Sequence, residues 1–582
     1  DTPTNGGTDT GLGGEVTGNY PVWQTLNEHF TQESGTRVFR NGATYHSDTG
    51  SSGSGGAITT MATGTTGKWY AEISFSPSEA TNWYTNTEKD GGRFTGNEYL
   101  GIIPVAEWNK EPRPDLYRVK DFHGIKCDTA NTKATNVRGD GGGGDTTTEL
   151  ANDTAWAVND VIGISIDLDT PAVKFYKNGV AIGTFSYTIP SGKEWLIGTS
   201  DWHSYAGPIA FMINTGQAPF AFPLAGHKCI CSTNLDDTFG EDDKNDPSKY
   251  FDAQIYTGTG ATNQYIRNLD FTPELVIFKK RNSSRSFAIF DAARGVEKRL
   301  QLDENVAQDD SSTGLKTFEP NGFSFGNNSA NGDDGDTYVA WAWDCGTAAA
   351  TASTDGSITP SAQWVNATAG FSISVYTGTG SNATIGHGLS AKPGMHIIKR
   401  TNSTADWRMY LDNPLTATHS LIPSETSAKF TVDTYQDTEP TNTVISLDGD
   451  ANVNASGDTY VLYCWTPIKG FSSFGGYLGT GDTSGLAVYT GFRPRFVWTK
   501  AVDSTGGWAM YDTARLDYNR MDKEGRVVES QAATGEQNDA DIGIDILSNG
   551  FRPYSNWNPT NTSDNKMYIA FAEFPFKTTR AR

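Results

Sequence analysis

The chain contains the stretch Tyr256–Gly260 (YTGTG), which returns as Tyr376–Gly380 (YTGTG) and as Tyr477–Gly481 (YLGTG). After each stretch come a Pro and, six residues later, a Lys, at Pro273/Lys279, Pro393/Lys399 and Pro494/Lys500. Eight and eleven residues after the Lys come two aromatics, Phe287/Phe290, Trp407/Tyr410 and Trp508/Tyr511. The copies close on Tyr338–Trp341, Tyr460–Tyr463 and Tyr568–Phe571. Because these offsets agree, the chain holds three copies of one unit of roughly 100 residues, the size of a β-sandwich.

Within each copy the pattern predicts short, well-buried strands. The Pro-to-Lys segment is largely apolar, as in Glu274–Phe278, and the aromatic pair indicates the next strand. A turn is expected after that pair, at Asp291, Asp412 or Asp512. Asn321-Gly322 and Asn549-Gly550 supply a late turn that the second copy lacks. We expect the copies to superpose, with their first aromatics as core anchors.

Upstream of the repeats, residues 20–222 also read as β-structure. Lys68–Phe75 alternates apolar and polar residues, and Ile162–Asp169 does the same, which predicts half-buried strands. Lys177–Val180 (KNGV) has the Asn-Gly pair of a type I′ hairpin turn.

This region resembles the SPRY family. The resemblance rests on four stretches in the expected order, Gly67–Ile73 (GKWYAEI), Asp160–Asp169 (DVIGISIDLD), Phe175–Gly179 (FYKNG) and Ile213–Phe220 (INTGQAPF). It implies a concanavalin-like jelly-roll of two antiparallel sheets. It also implies a binding module, because the family carries no shared catalytic residues.

The repeat region resembles uncharacterised domains of bacteriophage tail and fibre proteins, best at Gly470–Gly475 and Tyr489–Pro494. The resemblance implies a virion protein whose partners are other virion proteins, and a homo-oligomer, with a trimer favoured. It establishes no chemistry.

The expected fold is therefore all-β, with tandem antiparallel β-sandwiches: one SPRY-like jelly-roll and three related repeat sandwiches. The predicted boundaries are an extended arm (1–19), the SPRY-like sandwich (20–222), a linker (223–250), repeat 1 (251–346), a second, looser linker (347–370), repeat 2 (371–468), repeat 3 (469–577) and a tail (578–582).

Composition excludes several classes of partner. The net charge is −23 and no Lys/Arg stripe stands out, so we expect no nucleic-acid binding. No stretch of about 18 apolar residues exists, so we expect no membrane insertion. Five scattered cysteines argue against a disulfide framework and against a zinc site.

One loop has the spacing of a calcium site. Asp448, Asp450 and Asn452 place oxygens at alternate positions, but the Gly and the final acidic residue of an EF-hand are missing. A solvated turn is the alternative. No other cofactor is indicated. No nucleophile elbow or clear base appears, so we expect a non-enzyme.

Aromatic residues in polar loops are the remaining candidates for ligand binding. An exposed ring among amides and carboxylates can stack on a sugar while its neighbours bind the hydroxyls. The alternative is that these rings fold back onto the sandwich edge. The candidates are Trp83, Tyr84, Trp202, His203, Tyr205 and Trp557.

The sequence thus predicts a bacteriophage tail or fibre component, located in the extracellular virion, that contributes to attachment by binding host-surface glycan or protein. A secreted bacterial adhesin or lectin is the first alternative. A polysaccharide depolymerase is the second.

Overall fold

The computed structural model describes residues 20–21, 23, 38–40, 44–47, 53–76, 98–110, 116–128, 133–139, 146–149, 160–182, 187–203, 209–235, 246–348, 351–481, 485–515, 519, 526–527, 533–538, 543–553 and 556–575. The chain divides into two compact units, Asp1–Asp237 and Thr238–Arg582. The predicted arm and tail lie outside the described residues. No helix in the described part is long and apolar enough to cross a membrane.

The first unit is the predicted sandwich of two sheets. Its strands are β1 (Val38–Arg40), β2 (Thr44–Ser47), β3 (Gly53–Ile58), β4 (Lys68–Ser76), β5 (Glu98–Pro104), β6 (His123–Asp128), β7 (Lys133–Arg138), β8 (Thr146–Glu149), β9 (Val161–Asp167), β10 (Ala172–Lys177), β11 (Val180–Ala181), β12 (Tyr187–Thr188), β13 (Trp195–His203), β14 (Ile209–Asn214) and β15 (Lys228–Cys229). A nine-stranded sheet has the order β1-β2-β14-β4-β9-β10-β11, with β12 on β10 and β15 on β4, and a six-stranded sheet has the order β3-β13-β5-β6-β7-β8. Helix α1 (Val105–Lys110) and the 3₁₀ turns Leu116–Arg118 and Ser232–Asn234 complete the unit.

The turn between β10 and β11 confirms the hairpin prediction. Lys177 pairs with Val180, and both central residues have positive φ, 48° for Asn178 and 80° for Gly179. These angles are those of a type I′ turn, which matches the twist of the flanking strands.

Strand β9 corrects the prediction of a half-buried strand. Its central residues are buried on both faces. A side chain at Gly163 would collide with the ring of Tyr70, and Ser165 bonds His227 from the segment beyond residue 222. Strand β15, in the same segment, pairs in parallel with β4. The first part of the predicted linker 223–250 therefore belongs to the sandwich.

The second unit contains the three repeats. Repeat 1 has the 3₁₀ turn Pro247–Lys249 and the strands β16 (Phe251–Thr257), β17 (Gln264–Ile266), β18 (Leu275–Lys280), β19 (Ala288–Asp291), β20 (Lys298–Arg299), β21 (Asp309–Asp310), β22 (Leu315–Glu319), β23 (Gly322–Phe325) and β24 (Thr337–Trp343). Repeat 2 has β25 (Thr347–Ala348), β26 (Ala362–Asn366), β27 (Phe371–Thr377), β28 (Ala383–Gly386), β29 (Met395–Arg400), β30 (Arg408–Leu411), β31 (His419–Ser420), β32 (Phe430–Thr431), β33 (Val444–Leu447) and β34 (Thr459–Trp465). Repeat 3 has β35 (Ser472–Leu478), β36 (Val488–Tyr489), β37 (Phe492–Ala501), β38 (Trp508–Asp512), β39 (Arg526–Val527), β40 (Gln537–Asn538), β41 (Ile544–Leu547), β42 (Gly550–Pro553), helix α2 (Asn558–Asn561) and β43 (Asn565–Pro575).

The repeats share one strand order, as predicted. The large sheets run β16-β24-β18-β19, β27-β34-β29-β30 and β35-β43-β37-β38. Opposite them lie the small sheets β17-β23-β22, β28-β33 and β36-β42-β41. The hairpins β22–β23 and β41–β42 turn at the two Asn-Gly pairs, and the second repeat, which lacks that pair, also lacks this hairpin among its described strands.

The three tandem sandwiches also share a core, which we did not predict from the sequence. Each repeat has its own apolar core between its two sheets. The other face of all three large sheets packs into one common core, which includes Trp341, Trp407 and Trp508. An apolar cavity of about 50 Å³ lies where side chains of the three repeats meet. Both faces of the closing strands are buried, as in Thr337–Trp343.

The predicted linker 347–370 is part of a sheet. Strand β26 pairs along the edge strand β27, and β25 pairs with β26. The Ala/Thr/Ser-rich composition suggested a loose joint. Trp364 nevertheless packs against the common core, and Gln363 binds Ser374 and the Gly386 carbonyl at 2.9 and 3.0 Å.

Three arms link the repeats in a cycle. We define arm 1 as residues 298–310, arm 2 as 419–431 and arm 3 as 526–527 and 533–538. Each arm exchanges two backbone hydrogen bonds with the next repeat, and arm 3 returns to repeat 1. For arm 1 the bonds are Ala405 N–H to Asn305 O (2.9 Å) and Gln308 N–H to Thr401 O (2.8 Å). For arm 2 they are Gly506 N–H to Thr426 O and Lys429 N–H to Val502 O, both 2.8 Å. For arm 3 they are Arg285 N–H to Ala533 O and Glu536 N–H to Arg281 O, both 2.6 Å.

Candidate functional site

The exposed face of the small sheet in repeat 1 has the features of a ligand site. Tyr265, in the centre of β17, is 45% exposed. Its neighbour Gln264 points inward, where its side chain donates to the Gly332 carbonyl (2.7 Å) and accepts from the Thr259 N–H (2.8 Å). Because side chains alternate along a strand, this anchor fixes Tyr265 outward.

Polar groups surround the ring of Tyr265. Asn263 Nδ2 donates to its hydroxyl at 2.7 Å, and the Arg267 guanidinium lies 4.0 Å from the ring centroid. Glu319 on β22 holds that guanidinium, with Arg267 Nε 2.8 Å from Glu319 Oε2. Hydrogen bonding within this ion pair lowers the pKa of Glu319 and raises that of Arg267. Both groups therefore stay charged over a wide pH range.

This face can stack on a sugar ring and bind its hydroxyls. The phenol supplies the apolar platform on the ring face away from Arg267, and Asn263 and Glu319 supply amide and carboxylate groups. Tyr265 was not among the ligand-binding residues predicted from the sequence. Its signal was present, because Asn263–Asn268 (NQYIRN) places an aromatic among amides, the pattern that selected the other aromatic candidates.

The aromatic candidates of the first unit are only partly described. Trp83, Tyr84 and Tyr205 lie outside the described residues. Trp202 and His203 belong to strand β13, where they pair with Ser54 and Gly53. This corrects their predicted placement in a polar loop. The partner strand β3 (GSGGAI) is rich in glycine and serine and has weak periodicity, which concealed the pairing.

For Trp557 the structure supports the alternative to ligand binding, a ring that packs against its own sandwich. It is the N-cap residue of α2, and its carbonyl accepts from Thr560 and Asn561 N–H at 3.0 and 2.9 Å. The ring is half-buried against the core of repeat 3. Trp557 thus folds back onto its sandwich.

The predicted calcium loop is held by its own hydrogen bonds. Asp448 Oδ1 accepts from Asp450 N–H (2.8 Å), Asp450 Oδ1 from Asn452 N–H (2.6 Å), and Asn452 Oδ1 from Asp406 N–H (2.9 Å). In the described part of the chain, no three His, Cys, Asp or Glu side chains are grouped to hold a metal. These contacts are those of turns, and calcium binding there stays a prediction.

The structure brings together a Ser–His pair that the sequence did not indicate. Ser165 Oγ lies 2.8 Å from His227 Nε2, and His227 Nδ1 lies 3.3 Å from the Ala225 carbonyl. Such a pair can activate a nucleophile when a substrate reaches it. Ser165 is only 4% exposed in the middle of β9, and burial lowers the pKa of His227. The pair therefore fits a structural contact.

The lysines of the repeat motif, Lys279, Lys399 and Lys500, are buried at the joints, by which we mean the places where an arm meets the next repeat. Lys399 Nζ donates to the carbonyls of Asn305 in arm 1 (3.2 Å) and Ala405 (2.8 Å), and Lys500 Nζ donates to those of Thr426 in arm 2 (3.4 Å) and Ser504 (3.3 Å). Burial lowers the pKa of Lys279, Lys399 and Lys500 to about 8. They lie behind carbonyl groups rather than in an accessible pocket, which gives the repeat motif a structural role.

Solved structures similar to the chain are small β-domains. A human SPRY domain is 16% identical and covers 31% of this chain and 97% of its own, with a TM-score of 0.22. The carbohydrate-binding module CBM66 from Bacillus subtilis is 12% identical, covering 33% and 94%, with a TM-score of 0.21. The potassium-bound carbohydrate recognition domain of Emp46p is 11% identical, covering 33% and 94%, with a TM-score of 0.24.

A search of curated proteins finds no match. A family profile described as a domain of unknown function, DUF7483, matches residues 246–575. This range contains all three repeats, the arms and the common core, and it is more than half of the chain. The chain therefore belongs to the DUF7483 family.

Proposed function

We propose that the chain is a non-enzymatic structural and attachment protein of a bacteriophage virion, a tail or fibre component that binds host-surface glycan. The observation that carries the binding role is the Tyr265 face, an exposed ring among fixed polar groups. The resemblance of the repeats to tail and fibre domains supports the virion role and, with it, other virion proteins as partners and a homotrimer.

The cyclic scaffold supports a display role. A common core and closed arms hold the three sandwiches rigid, and rigid scaffolds commonly present binding residues at their surface. A secreted adhesin or lectin would use the same face, and host-surface protein is the alternative ligand. Finding the chain in purified particles distinguishes the virion protein from the secreted one.

A glycan array with the full chain tests the binding role. Tyr265→Ala should weaken binding about tenfold, because a lost stacking contact costs about 0.5–1.5 kcal/mol beyond area burial. Phe574→Ala is the matched control, since Phe574 is equally exposed at 46% but lies in repeat 3. Equal affinities of the two variants would exclude the Tyr265 face as the ligand site.

The same array decides between the two units. The double variant Trp202→Ala/Tyr205→Ala removes the loop-side aromatics predicted in the first unit. If it loses binding while Tyr265→Ala does not, the site lies in the SPRY-like sandwich.

The depolymerase alternative has its own test. Reducing-end release from host polysaccharide should be absent, and a serine-directed phosphonate should leave Ser165 unlabelled because that side chain is buried. Turnover that disappears in Ser165→Ala, or on replacement of a single Asp or Glu, would overturn the non-enzyme claim.

A further inference from the structure

The outer face of the small sheet in repeat 1 carries a row of side chains across its strands. Tyr265 on β17 is opposite Ser324 on β23, and Ser324 is opposite Thr317 on β22. Residues that pair across neighbouring strands share a face of the sheet. The Ser324 and Thr317 hydroxyls lie 2.5 Å apart, and Thr317 is exposed. The phenol of Tyr265 is therefore one end of a row that continues with two hydroxyl groups.

The ion pair of Arg267 and Glu319 forms the next row on this face. Gly322 of β23 pairs with Glu319 and has no side chain, so Arg267 reaches across that strand. Its Nε lies 2.8 Å from Glu319 Oε2, and its Nη2 lies 3.4 Å from Oε1. Glu319 Oε1 also accepts from the Thr317 hydroxyl at 3.2 Å. The guanidinium that covers one side of the Tyr265 ring is thus already paired with a carboxylate of this chain.

Further carboxylates lie near both ends of β17. Asp334 is exposed beside Gly260 in the loop that leads into the strand, and Asp270 is exposed shortly after it. Lys316 on β22 donates to the Ser312 carbonyl. The whole chain has a net charge of −23. A negatively charged ligand is therefore repelled as it approaches, and salt at about 0.1 M leaves charges closer than about 10 Å largely unscreened.

We propose that the Tyr265 face binds an uncharged sugar residue, a neutral hexose or N-acetylhexosamine, and discriminates against uronic, sialic and phosphorylated sugars. This inference rests on the proposed glycan binding and names its ligand class. The ring side of Tyr265 away from Arg267 takes the apolar face of the pyranose. Asn263, Thr317 and Glu319 bind the hydroxyl groups around it.

The selectivity follows from the ion pair. A sugar carboxylate at Arg267 either displaces Glu319, which then loses its two hydrogen bonds from the guanidinium, or joins it, which places two like charges at one cation. Like charges brought together at a binding site oppose association. A neutral sugar leaves the ion pair intact.

The test uses the full chain on a glycan array of matched pairs that differ by an acidic group. Galactotetraose is paired with tetragalacturonate, and N-acetyllactosamine with its sialylated form. The bound glycans should be the neutral members. Their affinity should change less than about twofold between about 50 and about 500 mM NaCl, because the ligand makes no ion pair that salt can screen.

Glu319→Gln removes the competing carboxylate and keeps the length of the side chain. The ratio of acidic to neutral binding should rise about fivefold, the size of one exposed charge pair. Glu425→Gln is the matched control, because it removes an exposed carboxylate of repeat 2, and it should keep the parental ratio. Unfolding of both variants at the parental denaturant midpoint shows that the fold is retained.

The outcomes separate this inference from the proposed function. Preferential binding of acidic glycans that Tyr265→Ala abolishes would overturn the inference and leave the proposed glycan binding standing. A ratio that Glu319→Gln leaves unchanged would also overturn the inference alone. Binding to none of the glycans, or binding that Tyr265→Ala does not weaken, would contradict the Tyr265 face as a glycan site, and the inference with it.

Discussion

Two joints, one between repeats 1 and 2 and one between repeats 2 and 3, have matching backbone hydrogen bonds from their arms. They differ in the side chains that meet there. In the first, Asp291 is fully buried, binds Arg294 at 2.6 Å and accepts from the Tyr463 hydroxyl at 2.6 Å. In the second, Leu415 stands in place of the arginine and Phe571 in place of the tyrosine.

The equivalent aspartate of the second joint, Asp412, has turned outward. Its side chain is 45% exposed and binds Lys392. The joint between repeats 3 and 1 has the polar form again, because Asp512 binds Arg515 at 2.6 Å and accepts from the Trp341 indole at 3.1 Å. An apolar common core therefore suffices to close a joint, and the buried ion pair is an addition to it.

The largest effect is expected from removing an aromatic of the common core at the apolar joint. Trp508 is fully buried, and its indole donates to the Glu425 carbonyl of arm 2 at 2.8 Å. Trp508→Ala should lower the free energy of unfolding by about 3–5 kcal/mol. Denaturant unfolding measures it. Trp508→Phe reproduces the residue of repeat 1 at this position, Phe287, and should cost less. An unchanged midpoint for Trp508→Ala would place the residue in solvent.

The next effect contrasts the two aspartates directly. Asp291→Ala leaves Arg294 buried without its partner and should cost about 3–5 kcal/mol. Asp412→Ala removes an exposed ion pair and should cost at most about 1 kcal/mol. Asp291→Ala combined with Arg294→Leu should recover part of the loss, because it removes the stranded charge. Equal losses for the two single variants, measured by the same unfolding assay, would contradict the distinction between the joints.

The buried lysines give the stability of all three joints a common pH dependence. Burial lowers the pKa of Lys279, Lys399 and Lys500 to about 8 in the folded protein, against 10.5 when exposed. Between these values the unfolded chain binds more protons, so stability should rise with pH, by up to about 1 kcal/mol per pH unit for each lysine. Above about pH 10 the buried tyrosines oppose this rise, because unfolding lets them ionise. Denaturant midpoints from pH 8 to 10 measure the slope, which Lys399→Met should reduce.

One carboxyl group in repeat 1 has a pH dependence of opposite sign to that of the lysines. Burial, with the neighbouring Asp344 adding to it, raises the pKa of Glu274 to about 9, and its carboxyl accepts from the Cys345 N–H at 2.7 Å. From about pH 4.5 to 9 the folded state binds the extra proton, so stability falls as pH rises. Glu274→Gln should remove this slope and stabilise the protein at pH 7 by up to about 3 kcal/mol, at about 1.4 kcal/mol per pH unit above 4.5. A steeper slope in the variant would contradict the assignment.

Much of the repeat fold was predictable because its signals are local. The offsets of the Lys and aromatic landmarks identified the three copies, and the Asn-Gly pairs identified the hairpins of repeats 1 and 3. The anchors Phe287, Trp407 and Trp508 are buried as expected.

The common core was missed although it has a sequence signal. Thr337–Trp343 (TYVAWAW) is apolar on both faces, which indicates a strand covered on both sides, whereas an isolated sandwich needs only one. The arms had no such signal, because their bonds to the next repeat use backbone groups that any residue provides. Strand β26 was concealed by the polar residues around Trp364.

The candidate site was only partly predictable. An aromatic among amides marks both an exposed platform, as at Tyr265, and a ring that folds back, as at Trp557. Local sequence cannot separate the two outcomes. At Tyr265, the neighbouring Gln264 is held inward by hydrogen bonds, so the Tyr265 ring faces solvent. At Trp557, the ring itself packs against the core of repeat 3.

The central claim is that the three repeats form one interlocked unit around a common core. Hydrogen exchange of the full chain along a denaturant series tests it most directly, with β18, β29 and β37 followed separately. Because the joints close in a cycle, these strands should lose protection at one shared midpoint. Three separate midpoints, one for each repeat, would show independent sandwiches and contradict the account.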